Sequence, residues 1–149
     1  MKKFVFSLEQ VLQYEDNEKS RLVRGLMVLD ADILACENEI NRLDTGLKSE
    51  TAKLYQQGKS LKIVYLSEFL KYKEAMEIKI RQQQNSLVRM HREREKFAAQ
   101  IVEAKKRVEV LVKLKEKNFD EYKLELTKEE EQTMQELVET QYVVKTKEM

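Results

Sequence analysis

The chain has 149 residues with 3 Gly and no Pro, and 37% of its residues are charged. This composition disfavours sheets and tight turns, and its charge content is typical of helices with largely solvated faces. Because 28 basic and 27 acidic residues are interspersed, the net charge of +1 selects neither a nucleic acid nor a membrane surface as partner. No stretch approaches the roughly 20 apolar residues that a membrane span requires.

Apolar residues in the first third of the chain repeat at alternating spacings of four and three. This spacing is the pattern of a coiled-coil seam, in which one narrow stripe of a helix packs against a partner helix. The stripe comprises Leu22, Leu26, Leu29, Ile33, Cys36, Ile40, Leu43 and Leu47.

A second stripe with the same spacing follows later in the chain, and only Gln83 and Arg94 interrupt it as polar residues. Two long seams in one short chain predict an all-α fold, a two-helix antiparallel coiled coil in which each helix covers the stripe of the other. We expect residues 1–149 to form a single elongated domain. The second stripe comprises Met76, Ile80, Leu87, Met90, Phe97, Ile101, Ala104, Val108 and Leu111.

The boundaries of the first helix can be predicted from local signals. Ser7 can cap the helix, with Gln10 three residues later as in a capping box, so the helix should begin close to Leu8. It should run to Gln57, because the following Gly58 and Ser60 favour a break. We therefore predict a kink or loop at residues 57–60.

We predict the pairing of the two stripes from the register that places apolar residues opposite each other over the greatest length. That register pairs Ile40 with Leu111 and Leu54 with Phe97, and it places the apex of the hairpin near residues 71–76. The alternative is an apex at Gly58, which would leave about 30 C-terminal residues without a partner.

The sequence offers no convincing catalytic or metal-binding constellation. Gly58-Lys59-Ser60 matches the end of a phosphate-binding loop, but the glycine and the strand that should precede it are missing. Cys36 occupies a seam position and is expected to be a packed thiol. His91 is the only histidine, so a metal site would lack ligands. We expect no enzymatic activity, no metal, no cofactor and no small-molecule substrate.

The features that suggest nucleic-acid binding are a dense basic run at residues 89–96 and the basic clusters that follow it at residues 105–107 and 113–117. Acidic residues such as Glu93 and Glu95 interleave with them, which favours ion pairs along the helix over a phosphate-binding stripe. We therefore expect no nucleic acid as partner.

Three segments resemble the FliJ family of flagellar export proteins. These are residues 3–12 (KFVFSLEQVL), Gly58 with residues 65–70 (YLSEFL), and residues 108–117 (VEVLVKLKEK). The resemblance implies an antiparallel coiled coil that acts as the non-enzymatic central stalk of the flagellar type III export ATPase. Members of the family are similar in shape to the gamma stalk of rotary ATP synthases.

The resemblance also implies partners: a hexameric export ATPase, a membrane export gate protein and, in addition, export chaperones. The end that carries both termini would enter the ATPase ring, and the apex would contact the gate, at the cytoplasmic face of the inner membrane at the flagellar base. Lys73 departs from the apolar pattern of the gate patch. The implied ring contacts are Leu8, Val11, Leu12, Leu126, Met134 and Leu137, and the implied gate contacts are Phe69, Leu70, Tyr72 and Met76.

Two alternative functions remain open from the sequence. One is a generic cytoskeletal or scaffold coiled coil, which would have no ring-shaped partner and no stoichiometry of one chain per hexamer. The other is the stalk of a virulence-type secretion system.

Overall fold

A computed structural model describes residues 2–58 and 62–148 of the chain. Helix α1 spans Glu9–Gln57 and helix α2 spans Ile63–Glu148, and the described residues contain no strand. The two helices pack against each other as a hairpin. The predicted all-α, two-helix fold is confirmed.

The turn of the hairpin lies where α1 ends. Helix α1 ends at Gln57, and Gly58 has a φ of +52°, in the left-handed region that commonly ends a helix at glycine. Helix α2 begins at Ile63, where the amide of Leu66 donates to the carbonyl of Lys62. The break predicted at 57–60 is confirmed for Gln57 and Gly58, whereas Lys59 and Ser60 lie outside the described residues.

The apex predicted at residues 71–76 is wrong, because these residues lie inside α2. The pairings of Ile40 with Leu111 and of Leu54 with Phe97 that accompanied it are also wrong, since Phe97 packs against Gly25 and Leu54 lies beside Phe69. The thiol of Cys36 instead reaches Gln83, and Asp30 pairs with Arg94, which fits a turn after Gly58. Glycine can adopt the backbone conformation that stops a helix, whereas Tyr72 to Met76 contains only residues that continue one.

The chain comprises two compact units, and both helices contribute to each of them. Unit 1 contains Met1–Lys19 and Glu103–Met149, and unit 2 contains Ser20–Val102.

The core of unit 2 is the seam predicted from the sequence. Every member of the first stripe is buried or half-buried, and those buried to at most 7% exposure form its centre. The members of the second stripe in this unit are half-buried, apart from the buried Ile101 and the exposed Arg94. The buried core residues of unit 2 are Leu22, Leu29, Ile33, Cys36, Leu43 and Ile101.

The two polar interruptions of the second stripe have partners on α1. The Cys36 thiol donates to the side-chain oxygen of Gln83 at 3.2 Å and lies 3.3 Å from its backbone carbonyl oxygen. Arg94 donates to the carboxylate of Asp30 at 2.7 Å. In the observed pairing the half-buried Gln83 has a hydrogen-bond partner in Cys36, which a shifted register would remove.

Gly25 lies inside α1, and the ring of Phe97 packs directly against its backbone. A Cβ atom at position 25 would lie 2.9 Å from the Cε1 atom of Phe97. The glycine therefore permits an aromatic ring in the seam where a larger residue would force the ring to move.

In unit 1, the segment that precedes α1 packs against α2. Phe6 is only 4% exposed, and the Phe4 ring lies 5.1 Å from that of Phe119 and 5.6 Å from that of Tyr122. The Tyr122 hydroxyl donates to the backbone carbonyl of Lys2 at 2.8 Å. These contacts hold the N-terminal residues on α2.

Two ion pairs connect the helices within unit 1. Arg107 donates to the carboxylate of Glu15 at 2.9 Å, and Lys115 lies 2.8 Å from the carboxylate of Glu9. The Glu15 side chain is only 19% exposed, whereas Arg107 is 51% exposed, so the carboxylate is the better shielded member of this pair.

The buried seam predicts a sharp difference between neighbouring substitutions in α1. Ile33 is 7% exposed and Leu34 is 57% exposed. Ile33→Asp should lower the free energy of unfolding by about 3 kcal/mol, because it buries a charge without a partner. Leu34→Asp should change it by less than about 0.5 kcal/mol. Urea unfolding followed by circular dichroism measures both, and equal midpoints would contradict the assignment of the seam.

The contact between Cys36 and Gln83 provides a test of the register. Because the Cys36 sulfur lies 3.3 Å from the Gln83 carbonyl, a cysteine at position 83 should come within disulfide distance. Gln83→Cys should therefore form an intramolecular disulfide on mild oxidation, as measured by titration of free thiols. Gln82→Cys is the matched control, because Gln82 is exposed on the outer side of α2. Two free thiols in both variants would show that the register is different.

Candidate functional site

A shallow groove between α1 and α2 lies beside the turn, inside unit 2. It has a volume of about 340 Å³ and combines aromatic and aliphatic side chains with charged residues. A groove of this kind suits an apolar side chain of a partner protein whose backbone can bond to the charged groups. Its lining residues are Glu50, Lys53, Leu54, Gln57, Tyr65, Glu68, Phe69 and Tyr72.

Three of the four predicted gate residues, Phe69, Tyr72 and Met76, are half-buried. Phe69 and Tyr72 line the groove, and the Tyr72 hydroxyl lies 3.6 Å from where a Cβ of Gly46 would stand. Residues three and four positions apart share a helix face, so Met76 continues the same face of α2.

Leu70, the fourth predicted gate residue, lies on another face of α2. It is 54% exposed and lies beside Ile63 and Leu66, which are 85% and 38% exposed. The structure therefore does not bring the four predicted residues into one patch. Sequence analysis missed this second face, although the spacing of Ile63, Leu66 and Leu70 by three and four residues was the signal for it.

Lys73, the residue that departs from the expected gate pattern, lies on the exposed surface. Its ammonium group is 4.0 Å from the carboxylate of Glu77, one turn later on α2. Such an exposed pair contributes little to stability, so Lys73 can exchange this contact for one with a partner.

All six predicted ring residues lie in unit 1. Leu12 and Leu126 are half-buried, whereas Leu8 and Val11 are 36% and 45% exposed. Met134 and Leu137 are more exposed still, at 62% and 54%. The exposed fractions rise toward the C-terminal part of α2, where apolar side chains have few neighbours.

The last part of α2 is a continuous helix whose side chains are all exposed. We define residues 127–147 as the C-terminal segment. Met134, Leu137 and Val138 follow each other at spacings of three and one, which places them on one face of the helix. Val138 is 60% exposed and was not recognised as part of this face from the sequence. The C-terminal segment therefore presents an apolar face that nothing within unit 1 covers.

Candidate metal ligands are not grouped together in the part of the chain that the structure describes. Within 2–58 and 62–148, no group of three His, Cys, Asp or Glu residues could hold a metal ion. Cys36 is buried in the seam, as expected for a packed thiol. None of the described helical stretches is apolar over enough length to span a bilayer.

The clearest electrostatic perturbation lies on the exposed face of α1. Arg42 donates to both carboxylate oxygens of Glu39, at 2.6 and 2.9 Å, and these hydrogen bonds lower the pKa of Glu39 and raise that of Arg42. The lowered pKa keeps Glu39 ionised, which is unsuited to a general acid at neutral pH. This pair links adjacent turns of one helix and marks no reaction centre.

Comparison with known proteins identifies a family. No curated protein and no solved structure matches the chain significantly. The family model described as flagellar FliJ protein matches residues 4–147. Because this match covers nearly the whole chain, the chain belongs to the FliJ family, whose members are non-catalytic components of flagellar protein export.

Proposed function

We propose that this protein is the central stalk of the flagellar type III export ATPase and couples the ATPase ring to the membrane export gate. In this proposal the chain acts as a single elongated domain at the cytoplasmic face of the inner membrane, at the flagellar base. It binds two different proteins through two different sets of residues and performs no chemistry itself. An additional role in escorting export chaperones is part of the same proposal.

The observation that carries the proposal is the C-terminal segment of α2. An isolated helix of this kind gains most of its stability from packing an apolar face, and the Met134, Leu137 and Val138 face has no cover within unit 1. A partner that encloses the segment would bury these side chains. The hexameric export ATPase is the partner that the FliJ family assignment favours, because the pore of a ring can enclose a helix.

The groove beside the turn supports the second contact. Phe69 and Tyr72 are aromatic, half-buried and reachable from solvent, as residues that dominate the binding energy of protein interfaces commonly are. Exposed Lys53 and Glu68 at its edge provide a polar rim. We assign this groove to the export gate protein.

Two other functions compete with the flagellar stalk. A generic scaffold coiled coil would bind its partners without a defined number of chains per ring. The stalk of a virulence-type secretion system would bind a different ATPase, but the family match favours the flagellar system. Binding to the cognate flagellar ATPase, with one chain per hexamer, separates the proposal from both alternatives.

Removal of the last part of the C-terminal segment should weaken binding to the ring selectively. A chain truncated after Thr133 loses Met134, Leu137 and Val138, and its affinity for the hexameric ATPase should fall at least about tenfold. Its affinity for the export gate protein should be unchanged, since the groove lies in unit 2. Titration calorimetry with each partner measures both affinities. An unchanged affinity for the ring, or an equal loss with both partners, would contradict the proposed stalk.

Substitutions in the groove should weaken binding to the export gate protein and leave binding to the ATPase ring unchanged. Phe69→Ala combined with Tyr72→Ala should weaken gate binding about thirtyfold, as expected when interface aromatics contribute about 2 kcal/mol. Circular dichroism must show retained helix content, because both rings also pack toward α1.

The control variant combines Leu66→Ala with Leu70→Ala, which alters the other apolar face of the same part of α2. If only this control lowers the affinity for the gate protein, the gate protein binds the face of Ile63, Leu66 and Leu70 and not the groove.

A further inference from the structure

Residues 127–141 of the C-terminal segment are acidic as well as apolar. Five Glu and one Lys lie between residues 127 and 141, although the whole chain is nearly neutral. The lysines that follow, Lys145 and Lys147, lie in the last turn of α2. The excess of negative charge is therefore concentrated where the apolar face is exposed.

Two of these glutamates lie beside the apolar face. Glu130 and Glu131 line a shallow surface depression together with Met134, Thr127 and Gln135.

Two other glutamates lie on the far side of the same helix. Because successive residues turn by about 100°, Glu136 and Glu139 point roughly 140° or more away from Met134. The segment therefore has two sets of carboxylates. Glu130 and Glu131 lie beside the apolar stripe, and Glu136 and Glu139 lie on the opposite face of the helix.

We infer that the C-terminal segment docks on an apolar partner surface that carries lysine or arginine side chains opposite Glu130 and Glu131. The inference rests on the proposed function, in which this segment contacts the ATPase ring, and it adds the charge that the ring must present. Apolar contact by Met134, Leu137 and Val138 supplies most of the affinity, and the two carboxylates select a basic rim and fix the orientation of the helix.

Charge decides among the possible occupants of this face. A second copy packed in parallel would bring Glu130 and Glu131 of the two chains together, which is unfavourable. An anionic membrane surface attracts helices whose polar face is rich in lysine and arginine, whereas this polar face is acidic. A basic, apolar protein surface is the complement that remains.

The test uses the full-length chain and the purified cognate hexameric export ATPase as the probe. Glu130→Gln combined with Glu131→Gln should weaken binding about fivefold at about 50 mM salt, and the difference should shrink at about 300 mM salt. Glu136→Gln combined with Glu139→Gln is the matched control, since it removes the same number of charges from the same segment. This control should bind within about twofold of the unchanged chain.

An apolar pair of variants tests the face itself. Leu137→Ala should weaken binding about tenfold. Val143→Ala, which alters a 49% exposed side chain on the opposite side of the helix, should have little effect.

The outcomes separate this inference from the proposed function. If the unchanged chain binds the ATPase and Leu137→Ala weakens binding, but the two glutamine variants behave alike, the basic docking surface is wrong and the ring contact stands. If the unchanged chain does not bind the ATPase, both are wrong. A concentration-dependent dimer in analytical ultracentrifugation that Leu137→Ala abolishes would show that a second copy covers the face, and would overturn the inference.

Discussion

The position of the turn at Gly58 is the constraint on which the other features depend. With α1 of 49 residues and α2 of 86 residues, a turn directly after α1 means that α1 cannot pair with all of α2. The N-terminal residues extend the pairing as far as Tyr122 through Phe4 and the backbone of Lys2. Beyond Leu126, no described side chain of α2 is shielded. The unequal lengths of the helices thus leave an apolar helix face without cover among the described residues of unit 1.

The narrowness of the seam has a second consequence, because a two-helix hairpin buries only one stripe of each helix. In unit 2, the stripe uses α1 residues such as Leu29 and Ile33 and leaves the outer faces in solvent. Near the start of α2 both the groove face of Phe69 and the outer face of Leu66 are apolar. Binding sites can therefore form on the helix surfaces without an enclosed pocket, which suits a protein that acts by contacting other proteins.

The sequence predicted the helices, the seam and the break at Gly58, because each depends on local spacing. It did not predict the register, since a heptad stripe places apolar residues opposite apolar residues in several alignments. The residues that discriminate among alignments are the polar ones, Gln83 and Arg94, whose partners Cys36 and Asp30 are evident only in three dimensions. The apolar residues of the two stripes, on which the predicted register was based, carry the least information about register.

A similar distinction explains why the four predicted gate residues do not share one face of α2. Phe69, Leu70 and Tyr72 are near neighbours in sequence, but one residue turns a helix by about 100°, so Leu70 faces away from the groove.

The resemblance to the FliJ family implied Met134 and Leu137 as ring contacts, whereas no role for Glu130 and Glu131 was predicted from the sequence. The role of these two glutamates depends on whether the neighbouring apolar face is covered. An acidic pair beside a covered stripe would only solvate the surface, but beside an exposed apolar face, as we infer here, it favours a basic partner surface. In the proposed interaction, the exposed apolar face supplies the contact area and the adjacent carboxylates select a basic partner surface.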